Sequence, residues 1–108
     1  MYFVYIVRCR DGSLYTGTAA DLRRRMHAHI QQTAACARYT RSHPVAALEA
    51  AWRTQTRPEA LRLEALIKRL TREEKLRLIA APETAAAVFG EKLRGAQYAP
   101  LPPEELHL

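Results

Sequence analysis

At 108 residues, 48% of them hydrophobic, the chain has the length of one domain and can bury a core without disulfide or metal staples. Seventeen basic residues against eleven acidic ones give a net charge of +6; residues 1–57 hold nine arginines against three acids, and residues 58–108 hold eight basic residues against eight acids, so the whole excess is N-terminal. The absence of a long apolar run excludes a membrane-spanning helix, and the opening "MYFVYIV" has none of the layout of a secretory signal, which with two cysteines, Cys9 and Cys36, at neither redox nor metal spacing predicts free thiols in a cytoplasmic protein, a disulfide being the minor alternative.

"YFVYIVRC" is short and rich in β-branched and aromatic residues and reads as a strand. Alternation puts Phe3, Tyr5 and Val7 on one face and Tyr2, Val4 and Ile6 on the other, so the strand is expected to be central and covered on both sides. "RDGS" is a hairpin turn with Asp11-Gly12 supplying positive φ. "LYTG" is the returning strand, which Gly17 is expected to end. A helix from about Ala20 to Ile30 follows, with Leu22, Met26 and Ile30 as its apolar stripe. Arg25 and His29, four residues apart, share the edge of that stripe.

"QQTAACARYTRSHP" reads as a loop carrying Arg38, Tyr39, Arg41 and His43. "VAALEAAW" is ambiguous, because its alanines favour a helix while Pro44 and the short length allow a strand. A third strand would complete a sheet that a lone hairpin cannot stabilise, and the strand reading is adopted. Thr56, Pro58 and Glu59 open a helix through a capping box, with Leu63, Leu66, Ile67 and Leu70 as its stripe. Thr71 and Glu74 repeat the device for a short helix ending before Pro82. "ETAAAVFGEKLRG" gives a last helix weakened by Gly90, and "QYAPLPPEELHL" is a proline-rich tail, expected to be irregular or mobile.

Every basic residue of the N-terminal half is an arginine, whose planar fork fits phosphate. The implied partner is a polyanion, most commonly nucleic acid; the alternative is an ordinary solvated basic face. Five residues are candidates for chemistry: Tyr5, Tyr15, Arg25, His29 and Glu64. Taken singly each has a bland reading. The tyrosines fit as aromatic core residues that could face each other across the hairpin, Glu64 as an i,i+4 partner of Lys68, and Arg25 with His29 as a polar helix face.

As an ordered set they carry more. "FVY", ten residues from Tyr5 to Tyr15, "YTG", an arginine eight after Gly17, and a glutamate on a later helix resemble the GIY-YIG endonuclease domain over roughly residues 1–80. The stretch "ARYTRSHPV…EALRLEALIKRLTREEK" is similar to the small stand-alone bacterial members. The resemblance implies an α/β (α+β) fold, a three-stranded antiparallel sheet flanked by helices. It divides the chain into a nuclease domain, 1–80, and a helical, proline-rich C-terminal extension, 81–108. Tyr5 and Tyr15 take the places of the two motif tyrosines, and Gly17 that of the glycine for a tight backbone turn. Arg25 matches the arginine at the scissile phosphate, His29 the tyrosine or histidine beside it, and Glu64 the single carboxylate holding one Mg²⁺ or Mn²⁺. Phe3-Val4 replaces Gly-Ile, and Thr18 stands where several relatives have a basic residue that helps the general base.

The implied reaction is metal-dependent hydrolysis of DNA phosphodiester bonds, on single-stranded, branched or other DNA, in repair, recombination or DNA uptake. Tyr5 is assigned as general base with Tyr15 orienting it or the water, the reverse being open. Arg25 stabilises phosphoryl charge, and one carboxylate suits magnesium, which keeps most of its waters. Gly17, Thr18, Arg24, Arg38, Tyr39 and Arg41 are the expected nucleic-acid contacts, Tyr39 stacking on a base between the two arginines or packing under its loop. Two other classes compete: a nucleic-acid-binding module of the same fold with little turnover, and a basic interaction protein without a nucleic-acid role.

Overall fold

The computed structural model describes residues 1–31, 42–94, 98–102 and 105. Strand β1 (Tyr2–Cys9) and strand β2 (Leu14–Ala19) form the N-terminal hairpin. In its turn Gly12 has φ 88°, a value L side chains resist. The Asp11 carboxylate there accepts from the backbone N–H and the hydroxyl of Ser13, at 3.0 and 2.6 Å. Strand β3 (Val45–Thr54) pairs with the other side of β1, so "VAALEAAW" is a strand: long-range pairing overrides its alanines. A two-residue strand, β4 (Ala99–Pro100), lies against β3.

The sheet is antiparallel in the order β2-β1-β3-β4. It therefore has four strands where three were expected. The fourth comes from the proline-rich tail, whose residues 99–100 form a strand where an irregular or mobile segment was expected. Leu101 buries its side chain and donates its N–H to the Ala51 carbonyl at 2.9 Å, and the Tyr98 hydroxyl donates to the Glu59 carbonyl at 2.9 Å. Pro100 is tolerable because an edge strand needs no second row of N–H donors.

Helix α1 (Leu22–Gln31) starts at Asp21, whose carboxylate accepts from the Arg24 N–H at 3.1 Å. Met26 is buried and Leu22 packs beside it, but Ile30 is 48% exposed and leaves the predicted stripe; His29, fully buried, takes its place. The helix phase points the 22–26–29 side at the sheet, and that turns Ile30 away. Helices α2 (Arg57–Lys68) and α3 (Arg72–Ala80) open with both expected capping boxes. Helix α4 (Ala85–Phe89) stops at Gly90, φ 54°, and a 3₁₀ turn continues to Leu93.

Each face of the sheet has its own core, as the alternation in β1 predicted. Val4, Ile6, Ala50 and Trp52 pack against Ala60, Leu63 and Ile67 of α2, Leu78 of α3, Phe89 of α4, and Leu93. Tyr5, Val7, Leu48 and Ala51 pack with Met26 of α1 and with Leu101. A register shift skips Glu49, so that Ile6 faces Ala50 while Val7 faces Leu48. This bulge keeps the larger apolar groups of β3 on their proper faces. Cys9 is a buried free thiol, and Cys36 lies outside the described residues. No helix among the described residues is long and apolar enough to cross a membrane.

Candidate active site

The β1–β2 register pairs Tyr5 with Gly17 and Val7 with Tyr15. The two tyrosines are thus diagonal neighbours on one face, not directly opposite each other, with ring centroids 6.4 Å apart. Gly17 does not end the hairpin, since β2 runs on to Ala19. Nor does it supply a tight turn, because its φ is not in the left-handed region. What it supplies is room: a Cβ there would stand 2.5 Å from the Tyr5 Oη, 2.7 Å from its Cζ and 3.0 Å from Tyr15 Cε2. The side chain of residue 17 must be absent for the Tyr5 phenol to lie across β2.

Helix α1 closes the cluster from above. The Tyr5 hydroxyl and His29 Nε2 form a 2.8 Å hydrogen bond, whose donor is set by the imidazole tautomer. The His29 ring stands edge-on to both tyrosines, at 5.6 and 6.1 Å between centroids. Tyr5 is 1% exposed and His29 fully buried, whereas Tyr15 is only partly covered. Arg25, one turn before His29, is half-buried and acts electrostatically on all three rings.

The electrostatics follow from burial. Loss of water pushes the Tyr5 hydroxyl well above the usual tyrosine range; the neighbouring Tyr15 and Glu64 add to this, and Arg25 opposes it. Tyr15 is raised for the same first reason and by Glu64, again against Arg25. His29 is lowered to about 4, by burial and then by the Arg25 guanidinium, so it is neutral at physiological pH.

Glu64 comes from α2, on the other face of the sheet. It acts on both tyrosines, and it does so because β2 is the outermost strand, so the site straddles that edge. Its carboxylate, 19% exposed, holds the ammonium of Lys68 at 3.6 Å, and that ammonium also lies 5.8 Å from the Tyr15 ring centroid. A carboxylate that seats a cation beside the tyrosines fits the role of a metal ligand. Among the described residues no group of three or more His, Cys, Asp or Glu side chains forms a metal cage; one carboxylate with water is a set that magnesium tolerates.

Tyr5, Tyr15, Arg25, His29 and Glu64 are therefore brought together, with Gly17 beneath them. Thr18 pairs with Val4 and so belongs to the α2 face, away from the tyrosine rings. Arg24 is exposed on α1. Arg38, Tyr39 and Arg41 lie outside the described residues, and His43 is 3.8 Å from Asp11 near the hairpin turn. Sequence reasoning missed the second contact of Lys68, for which i,i+4 spacing from Glu64 was the only signal. A cleft of about 820 Å³ on the other flank of α1, lined by Phe3, Leu22, Arg23, Met26, His27 and Arg53 among others, includes none of the clustered residues. The cluster lies at the sheet edge, with Tyr5 and His29 buried beneath the partly covered Tyr15, Arg25 and Glu64.

The GIY-YIG catalytic domain model matches residues 1–77, a span that holds all five clustered residues. UPF0213 protein FN1575 of Fusobacterium nucleatum is 37% identical over 83 residues, 77% of this chain and 81% of its own. A UPF0213 protein of Staphylococcus aureus is 45% identical over 78 residues, 72% of this chain and 93% of its own. The solution NMR structure of UPF0213 protein BH0048 from Bacillus halodurans, 35% identical, covers 83% of this chain and 98% of its own with a TM-score of 0.48. With its motif residues gathered at one edge of the sheet and its first 77 residues matched, this chain belongs to the GIY-YIG nuclease family, alongside the UPF0213 proteins.

Proposed function

We propose that the protein is a divalent-metal-dependent DNA endonuclease that hydrolyses phosphodiester bonds at the β2 edge, with residues 1–80 as the nuclease unit and the remainder bracing it. One observation carries the reading. Five groups spread over sixty residues of sequence, two phenols, an imidazole, a guanidinium and a carboxylate, meet at one surface. Core packing alone gives no reason for a guanidinium and a carboxylate to join such a cluster.

In this reading Arg25 orients the scissile phosphate and stabilises its developing charge. A water must reach the general base from solvent, and Tyr15 is the tyrosine with an exposed part. Exposure thus favours Tyr15 over Tyr5 as base, the alternative left open above, with Tyr5 and His29 as its buried support. Tyr15, once ionised to its phenolate, takes a proton from water, the water oxygen attacks phosphorus, and the P–O bond to the leaving 3′ oxygen breaks, that oxygen being protonated from solvent. Glu64 would hold one Mg²⁺ or Mn²⁺, a Lewis acid for the phosphate oxygens. The carboxylate charge of Glu64 raises both tyrosines, so a cation held there would offset it and favour the phenolate.

A second reading is a DNA-binding module of the same fold with little turnover, favoured by a Tyr5 hydroxyl that is buried and held protonated. A nicking assay on single-stranded, duplex, flap and branched DNA, with and without magnesium, separates the two. The endonuclease reading expects magnesium-dependent cleavage that Glu64→Ala reduces by 10²-fold or more, on the order of a lost charge stabiliser, with folding and DNA binding intact. Binding without cleavage by the wild type supports the module, and wild-type rates in Glu64→Ala leave Glu64 a surface partner of Lys68.

A further inference from the structure

An i,i+4 ion pair such as Glu64–Lys68 is common on helices and by itself says nothing about a ligand. Lys68 makes a second contact, however, that a solvated pair does not need. Its ammonium sits 3.6 Å from Glu64 Oε2 and at the same time 5.8 Å from the centre of the Tyr15 ring. It therefore lies between the carboxylate and the more open tyrosine. Its side chain is 50% exposed, so the charge faces the solvent from which a substrate arrives.

The carboxylate that Lys68 holds is also the one assigned to a divalent cation. Two cations on one carboxylate repel each other. Lys68 must then swing off Glu64, and its long, flexible stem allows that without moving α2. Arg25 acts on Tyr15 from α1, on the other face of the sheet, and in the nuclease reading it orients the scissile phosphate at the same tyrosines. A phosphate held there is the anion next to which the released ammonium comes to rest.

We propose that Lys68 is a phosphate-binding residue of this site, clamping from α2 the substrate phosphate that Arg25 clamps from α1. The inference rests on the nuclease reading above and adds to it a residue from the half of the chain that carries no net charge. Glu64 thus has two cationic partners, and Lys68 serves as the resting one.

The test compares Lys68→Met, which keeps the stem and removes the charge, with Lys68→Arg. Oligonucleotide binding is measured over a salt series in calcium, a hard cation suited to oxygen ligands, and single-turnover cleavage is measured in magnesium. Both variants should melt close to the wild type, because an i,i+4 pair on a helix contributes little to stability. Lys68→Met should flatten the slope of log K against log salt by roughly 0.7 to 0.9 and slow cleavage about tenfold or more, and Lys68→Arg should restore the slope. A slope in Lys68→Met equal to the wild type overturns the proposal and leaves Lys68 a surface partner of Glu64. Binding without cleavage by the wild type would sink the nuclease reading while the slope still decides Lys68. No binding by the wild type would sink both.

Discussion

Removing a tyrosine hydroxyl leaves the ring and its packing in place, so tyrosine-to-phenylalanine variants separate chemistry from volume. Tyr15→Phe is expected to lose about 10²- to 10⁴-fold in single-turnover rate, the usual loss with a general base. Tyr5→Phe, which removes a supporting hydrogen bond to His29, is expected to lose less. The opposite ordering would return the base to Tyr5, and wild-type rates in both variants would make the pair structural. His29 offers a test that needs no substrate. Its folded pKa, about 4, lies below the ordinary 6.5, so the unfolded chain binds the proton more readily. As pH falls from 6.5 towards 4, stability is lost, by about 2 kcal/mol between pH 6.5 and 4.5. Denaturant midpoints of the wild type should fall over that window, and those of His29→Gln should be flatter; equal slopes would show that another group is responsible. At this scale the tyrosines, Arg25, His29 and Glu64 were legible as one set through the resemblance to the GIY-YIG domain. It did not reveal which phenol was buried, because that depends on where α1 lies over the hairpin. The purpose of Gly17 was likewise hidden, since it follows from the Tyr5 ring opposite.

The elements written in local chemistry were the readable ones. Capping boxes at Thr56 and Thr71 are complete within four residues, and both formed as expected. The β1–β2 hairpin was equally legible in Asp11-Gly12 and in the alternation before it. β4 was not, because two residues carry no period and their pairing with β3 spans almost half the chain. Ile30 failed for a related reason: a stripe with a spacing of four drifts around a helix of 3.6 residues per turn. The C-terminal segment nevertheless contributes to the fold through Leu101, which is 7% exposed and sits in the Tyr5-side core. Leu101→Ala should cost about 2–3 kcal/mol, seen as a melting temperature lower by roughly 10 °C or more. An unchanged melting temperature would make β4 and Leu101 incidental to the fold.

For the molecule as a whole, charge and site do not divide along the same line. The net positive charge belongs to residues 1–57, but Glu64 and Lys68 come from the half with no net charge and meet the tyrosines around the β2 edge. Composition pointed to a basic N-terminal half, not to where the carboxylate would come from. That junction depends on α2 covering one face of the sheet and α1 the other, which no local pattern encodes. The two-sided architecture also has an optical consequence. The single tryptophan of the chain, Trp52, is fully buried in the α2-side core, and its indole N–H donates to the Pro82 carbonyl at 2.9 Å. The polypeptide thus contains one indole fluorophore, seated where Pro82, near the start of the C-terminal segment, touches the sheet. Its emission spectrum is a native gauge of whether that segment is docked, readable without a label in the same cuvette as the reaction.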